Sequence, residues 1–338
     1  MCPPLSTCPV RLSTTTKKAV TSVGRFILRR LGISLLVVLM VSIITFALVK
    51  ILPGDPAILA MGTEATNEEV AAFHEKYNLD KPLVTQYFIW IRGVFHGDLG
   101  DSIKFYRPAA DCIFERLPRT ISIGLPALII ASVLGIVFGI ISAVRRGKLI
   151  DNIITFLSTI GLGAPQFWLG ILAIYVFGLK LDLLPLSGYV APSEDFGQYV
   201  YYAILPVSIL AFSLLASVAR QTRSNMLEVI NQDYIRTARA NGLSETRVIY
   251  KHALKNALIP VITTIGLQVR VIFGGSLMIE QVFNIAGIGS LITTAIQGRD
   301  YMVVQGCVLI ISVFVVIVNL VIDLLYGFVD PRIRKSWR

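Results

Sequence analysis

Six apolar stretches, at 31–52, 121–144, 153–179, 203–218, 258–277 and 303–328, alternate with polar intervals along the chain. A helix needs roughly 20 apolar residues to cross a hydrocarbon layer about 30 Å thick, so the pattern predicts six membrane spans. The first stops at Leu52-Pro53-Gly54-Asp55-Pro56, where two prolines cannot continue the hydrogen-bond ladder. Residues 53–120 then read as a small helical cap. Thr66-Asn67-Glu68-Glu69 is a capping-box pattern opening one helix. Asp80 with Pro82 opens another, with Leu83, Tyr87, Trp90, Ile91 and Val94 on one side and Gly97 at its end. In the third span Gly161, Gly163 and Gly170 permit close packing, and Pro165 predicts a kink. Residues 181–202 form a loop, and 280–302 lie outside the membrane or partly re-enter it.

The longest polar interval within the apolar region is 233–260. It reads as two short helices broken at Gly242. Leu227, Ile230, Tyr234 and Ala238 recur at helical spacing, and Asn241-Gly242 supplies left-handed residues that end a helix. Ser244 follows as an N-cap, with Glu245 in the positive end of the next turn. Such a basic, amphipathic segment serves either to dock a partner or to lie on the membrane surface.

Charge fixes the expected orientation. Arg11, Lys17, Lys18, Arg25, Arg29 and Arg30 precede the first span without an acid among them. Arg145, Arg146 and Lys148 follow the second span, Arg220 and Arg223 the fourth, and Arg332, Arg334, Lys335 and Arg338 the sixth. The positive-inside rule therefore puts both tails, 1–30 and 330–338, and the loop 224–257 in the cytoplasm. Six crossings return the chain to its starting side, so count and charge agree. The expected division is a tail at 1–30, a span at 31–52, an extracytoplasmic cap at 53–120, a membrane core at 121–329 and a tail at 330–338.

Composition agrees with an all-α integral membrane protein. Of 338 residues 54% are hydrophobic and 15% charged, with mean hydropathy +0.71; soluble domains are about 25% charged. The net charge of +10 flanks the spans on one side, so it points to membrane lipid as a partner and not to nucleic acid. Cys2, Cys8, Cys112 and Cys307 match neither a disulfide framework nor a metal spacing.

No GxxxxGK[ST] run is present, so any nucleotide must be hydrolysed on another polypeptide. His74, His96 and His252 are scattered, and no serine has a GxSxG setting. Neither catalytic residues nor a cofactor are expected. Proton- or sodium-coupled carriers keep several ionisable groups near the midplane. Here the spans offer mainly Arg270 and, toward the inner end of the last, Asp323. Arg270, with Gln268, Gly274 and Gly275 on the same span, should turn inward to a water-filled path, a partner subunit or a carboxylate. A self-contained secondary carrier is the disfavoured alternative.

Three separated motifs carry a family resemblance. Arg236-Thr237-Ala238, Gly242, His252-x-Leu254 and Asn256-Ala257-x-x-Pro260 resemble the EAA loop of binding-protein-dependent ABC importer permeases. Arg236, Thr237 and Lys255 depart from the general pattern in ways the first permease subunit of the dipeptide, oligopeptide and nickel group shares. Leu52-Pro53-Gly54-Asp55-Pro56-Ala57, Asn78-Leu79-Asp80-Lys81-Pro82-Leu83 and Gly97-Asp98-Leu99-Gly100 are similar to that group's N-terminal extension. Glu280, Phe283, Gly287 and Gly289 resemble its segment between the last two spans, except that Ala286 stands where proline is usual.

The resemblance implies a six-helix type I importer permease of a bacterial or archaeal cytoplasmic membrane, forming half of a peptide path. Its partners would be a homologous second permease, two ATP-binding cassette ATPase subunits and an extracytoplasmic substrate-binding protein. Arg236, Thr237, Ala238, Gly242, His252 and Leu254 would couple to the ATPase, and Gln268, Arg270, Glu280 and Phe283 are pathway or gate candidates. Nickel chelates and glutathione are alternative cargoes.

Overall fold

The computed structural model describes residues 13–51, 55–62 and 65–329. Residues 1–12, the Leu52-Pro53-Gly54 break and the tail 330–338 lie outside the described residues. Within them the protein is helical, with a single isolated β-bridge between Asp101 and Pro108.

Helix α1 (Ser13–Ile51) carries the first apolar span, Leu28–Leu48. Three short helices follow, α2 (Pro56–Met61), α3 (Asn67–Lys76) and α4 (Leu83–Phe95). Asp55 caps α2 through the Ala57 N–H at 2.9 Å, and Thr66 and Glu69 close the expected capping box on α3. Tyr87, Trp90, Ile91 and Val94 face inward as their spacing predicts, whereas Leu83 is exposed in the first turn of α4.

Helix α5 (Ala109–Val144) contains the second span and begins twelve residues before the expected start at Ile121. Its first turns carry Asp111, Glu115, Arg116 and Arg119, which made them read as cap. At 36 residues it is about 54 Å long and must project beyond the hydrocarbon. The third span is broken in two. α6 (Leu149–Gly163) and α7 (Gln166–Ala173), continued by a π-helical stretch Ile174–Lys180, meet at 106° across Ala164-Pro165. Proline removes a ladder hydrogen bond and drives its predecessor extended, and Ala164 has ψ 133°. α8 (Phe196–Ile230) holds the fourth span, α11 (Leu254–Val282) most of the fifth and α13 (Tyr301–Val329) the sixth. α9 (Asp233–Ala240), α10 (Glu245–Arg247) and α12 (Ile288–Gln297) lie in the connections.

The bundle centres on α5, α8 and α11. A Cβ on Gly135 would lie 2.8 Å from Val218 Cβ, and one on Gly139 2.7 Å from the Ala219 carbonyl oxygen. Gly135-x-x-x-Gly139 is therefore the small-residue seam along which α5 meets α8. Gly161 does the same for α6, where a Cβ would sit 2.8 Å from Ala216 Cβ. Arg30 on α1 pairs with Asp323 on α13 at 3.0 Å, so the first and last spans run antiparallel. Alternating crossings put the α1, α7 and α11 C-termini at one end, and the α5–α6 and α8–α11 connections at the other.

Candidate coupling segment and pathway helix

The α8–α11 connection folds against the ends of α5 and α8. Ile235, Val248, Ala253 and Ala257 are buried with Ile140, Ala143 and Met226, which fixes the segment as a rigid shelf. Helix α9 ends in a Schellman turn. The Gly242 N–H donates to the Arg239 carbonyl at 2.9 Å and the Leu243 N–H to the Ala238 carbonyl at 3.4 Å. Gly242 has φ +76°, a conformation costly for a residue with a Cβ, whereas Asn241 has φ −79° and is not left-handed as expected. Arg239 clasps Glu245 across the turn at 2.9–3.2 Å. Asn256 Nδ2 donates to Tyr234 Oη at 2.8 Å and ties α9 to α11.

Ser244 occupies the N-cap position of α10, but its side chain makes no capping hydrogen bond. From Val248 to Ala253 the backbone is π-helical before it continues as α11. This extra-residue turn, which carries His252, lets the short helix and the long one share a buried face.

The six proposed coupling residues divide by exposure. Arg236, Thr237 and Gly242 are exposed, with Thr237 Oγ1 donating to the Asp233 carbonyl at 3.0 Å. Ala238, His252 and Leu254 are half-buried, and Ala238 and Leu254 pack on the cluster beneath. The first set can meet a partner, and the second holds the shelf in shape. Five basic residues, Arg236, Arg239, Arg247, Lys251 and Lys255, against Asp233 and Glu245 make 233–256 net positive.

The four pathway candidates also separate. Gln268, Glu280 and Phe283 are buried, whereas Arg270 is exposed. It shares an outward face of α11 with Pro260, Leu267, Val271, Gly274, Met278 and Gln281. Arg270 makes no ion pair or hydrogen bond among the described residues. Of the expected settings for Arg270, the carboxylate within the chain's own bundle is thus overturned, and the side chain does not enter the packed interior. Gln268, Val269, Ile272 and Phe273 take the inward positions, and Asp323 is held by Arg30.

Glu280 is a structural pin. Its carboxylate accepts from Thr120 Oγ1 at 2.7 Å and from the Ser290 N–H at 2.9 Å, and Thr120 Oγ1 in turn accepts from the Ile288 N–H at 2.8 Å. The carboxyl group therefore sits at the N-terminus of α12 and couples it to α5 and α11. A Cβ on Gly287 would collide with the Glu280 carboxylate, and one on Gly289 would come within 2.6 Å of Leu277 Cα. That contact explains both glycines of the 280–289 motif. Phe283 is 2% exposed and packs on Gly170 of α7, which sets the second half of the broken span against the end of α11.

Two buried carboxylates went unread in the sequence. Asp151 on α6 accepts from Arg223 Nε and Nη2 of α8 at 2.7 and 3.0 Å, and from the Gly147 N–H at 2.9 Å. It locks the α5–α6 turn to α8 above the coupling segment. Asp300, fully buried before α13, accepts from Ser102 Oγ and from the Lys104 N–H, and so ties the cap loop to the α12–α13 turn. Among the described residues no group of three or more His, Cys, Asp or Glu side chains is placed to hold a metal ion.

The family model for the inner membrane component of binding-protein-dependent transport systems matches residues 135–335. The model for the N-terminal part of such membrane components matches residues 23–124. The chain is 42% identical over 312 residues to the oligopeptide transport system permease protein AppB of Bacillus subtilis, covering 91% of this chain and 99% of the relative. It is 40% identical over 336 residues to the dipeptide transport system permease protein DppB of Escherichia coli, covering 92% and 99%.

Proposed function

The chain belongs to the inner membrane components of binding-protein-dependent transport systems, and from that premise we propose that it docks an ATPase through 233–254 and admits peptides along α11. It is a non-catalytic permease subunit of an ABC peptide importer, a multi-pass protein of the inner membrane. The proposal fills in the rest of the machine. A homologous second permease completes the path, two ATPase subunits bind in the cytoplasm, and an extracytoplasmic protein delivers the cargo. Both termini are cytoplasmic, in keeping with the basic flanks.

The observation that carries the docking reading is the rigid, net-positive shelf. It is braced by a Schellman turn and a buried underside, and presents Arg236 and Thr237 to solvent. A helix lying on the membrane would expose its apolar side, but here Ile235 and Val248 are fully buried in the protein. Arg270 supports peptide as cargo. A fixed positive charge on an otherwise uncharged stretch of open helix attracts a C-terminal carboxylate and repels a bare metal cation. The α11 face is then the wall shared with the second permease.

A photo-crosslinking residue at Thr237 in the coexpressed complex tests the docking. Crosslinks to the ATPase polypeptide are expected from Thr237 and not from Leu183, at the opposite end. Equal labelling from both positions, or none from Thr237, would contradict the reading.

A further inference from the structure

We propose that α4 is an interfacial helix embedded in the leaflet facing away from the coupling segment, with the phospholipid surface as the partner of its outer stripe. The placement uses the reading of this chain as a membrane permease but none of the docking or cargo assignments above.

Two observations converge. The first is depth. Tyr87 Oη of α4 lies 2.8 Å from Ser42 Oγ of α1, and the Tyr87 and Trp90 rings sit 5.5 and 6.1 Å from the Phe46 ring. Ser42 precedes the end of the apolar span at Leu48 by six residues, or about 9 Å of helix. Lys50, whose ammonium lies 5.6 Å from the Phe46 ring centre, closes the span above these contacts. Helix α4 is therefore anchored to the last turns of a membrane span, below the level of its terminal charge, and not to a water-filled cap.

The second is the pattern around α4. Gln86 and Trp90 are buried, with Tyr87, Ile91 and Val94 packed beside them. Val84, Phe88 and Phe95 form an outward stripe at helical spacing, 68%, 64% and 80% exposed. Next to it around the helix come Arg92, Thr85 and His96, also exposed. A helix with one face in protein, a second apolar and a third polar is satisfied only at a boundary between oil and water. The same turns of α1 that hold α4 through Ser42 and Phe46 expose Ile44 and Leu48 on their other side, within the span that faces lipid. Ile89, on the far side of the polar strip, lines a cavity of about 490 Å³ and is not part of the stripe.

The test uses the full complex reconstituted in phosphatidylethanolamine–phosphatidylglycerol vesicles. Cys2 and Cys8 are changed to Ser, while Cys112 and Cys307 are buried and stay. Nitroxide labels are placed singly through Phe88→Cys, Phe95→Cys and Thr85→Cys, and their relaxation by oxygen and by a water-soluble nickel chelate is compared. The labels at 88 and 95 should respond more to oxygen and report a depth of about 5–10 Å, while the label at 85 responds more to nickel. Nickel access at 88 and 95 would overturn the placement in favour of an aqueous cap. Shielding from both reagents would overturn it in favour of a protein neighbour. Peptide uptake by the same vesicles is scored separately, so that a failed placement is distinguished from a failed functional reading.

Discussion

Glu280 shows how one side chain dictates its neighbours. Its carboxylate fills the space where a Cβ on Gly287 would go, and it satisfies the Thr120 hydroxyl and the Ser290 N–H. Glu280→Ala leaves those buried donors unpaired and should cost about 1–3 kcal/mol. Gly287→Ala should cost a similar amount, about 1–3 kcal/mol, by overpacking. Because the two act in one space, the double variant should be more stable than the sum of the single losses implies. Thermal unfolding of the purified complex reads this, and strictly additive losses would contradict the pin. Arg270 behaves in the opposite way. Since Arg270 has no partner among the described residues, Arg270→Gln should leave complex yield unchanged while lowering uptake of peptides with a free C-terminal carboxylate. Reduced yield would instead assign it a structural role. The sequence made Glu280 and Phe283 noticeable but not their role, since a motif shows position and not what the side chain touches. Asp151 and Asp300 were illegible for a different reason. Their partners Arg223 and Ser102 lie 72 and 198 residues away, beyond any local pattern.

Elements were legible where local chemistry decides them. The Thr66–Glu69 capping box, the inward face of α4, the break at Gly242 and the bend at Pro165 each follow from a few adjacent residues. Less legible were elements shaped by distant contacts. The start of α5 at Ala109 was hidden by charged turns that pair among themselves, as Arg107 and Arg119 do with Glu115 at 2.7 and 3.2 Å. The π turn at Val248–Ala253 depends on the cluster beneath it and has no sequence signal of its own. The Gly242 turn gives the sharpest element-scale prediction. At φ +76° a β-branched side chain is strained by about 1–2 kcal/mol, yet nothing lies within 4 Å of a Cβ there. Gly242→Val should therefore distort α9 relative to α10 without disturbing the bundle. Recovery of the chain from membranes should match wild type, while copurification of the ATPase falls. Unchanged copurification would contradict a role for this turn in docking.

At the scale of the whole molecule, six apolar stretches and their basic flanks carried most of the information. Alternation of spans fixes which connections share an end, and the Arg30–Asp323 pair closes the first span on the last. Packing was not foreseen in the same way. The α5–α8 seam depends on Gly135 and Gly139 meeting Val218 and Ala219, a match between two helices that neither displays alone. What the fold presents at its two ends differs: a positively charged shelf at one, and at the other a group of short helices of which α4 bears an outward apolar stripe. On the proposed assembly, this chain conducts only as half of an ATP-driven pair. Proteoliposomes containing the chain alone, and others containing it with a second permease, the ATPases and the binding protein, test that claim directly by uptake of a labelled peptide with and without ATP. ATP-dependent uptake is expected in the complete assembly and none with the chain alone. Peptide accumulation by the isolated chain would contradict that claim.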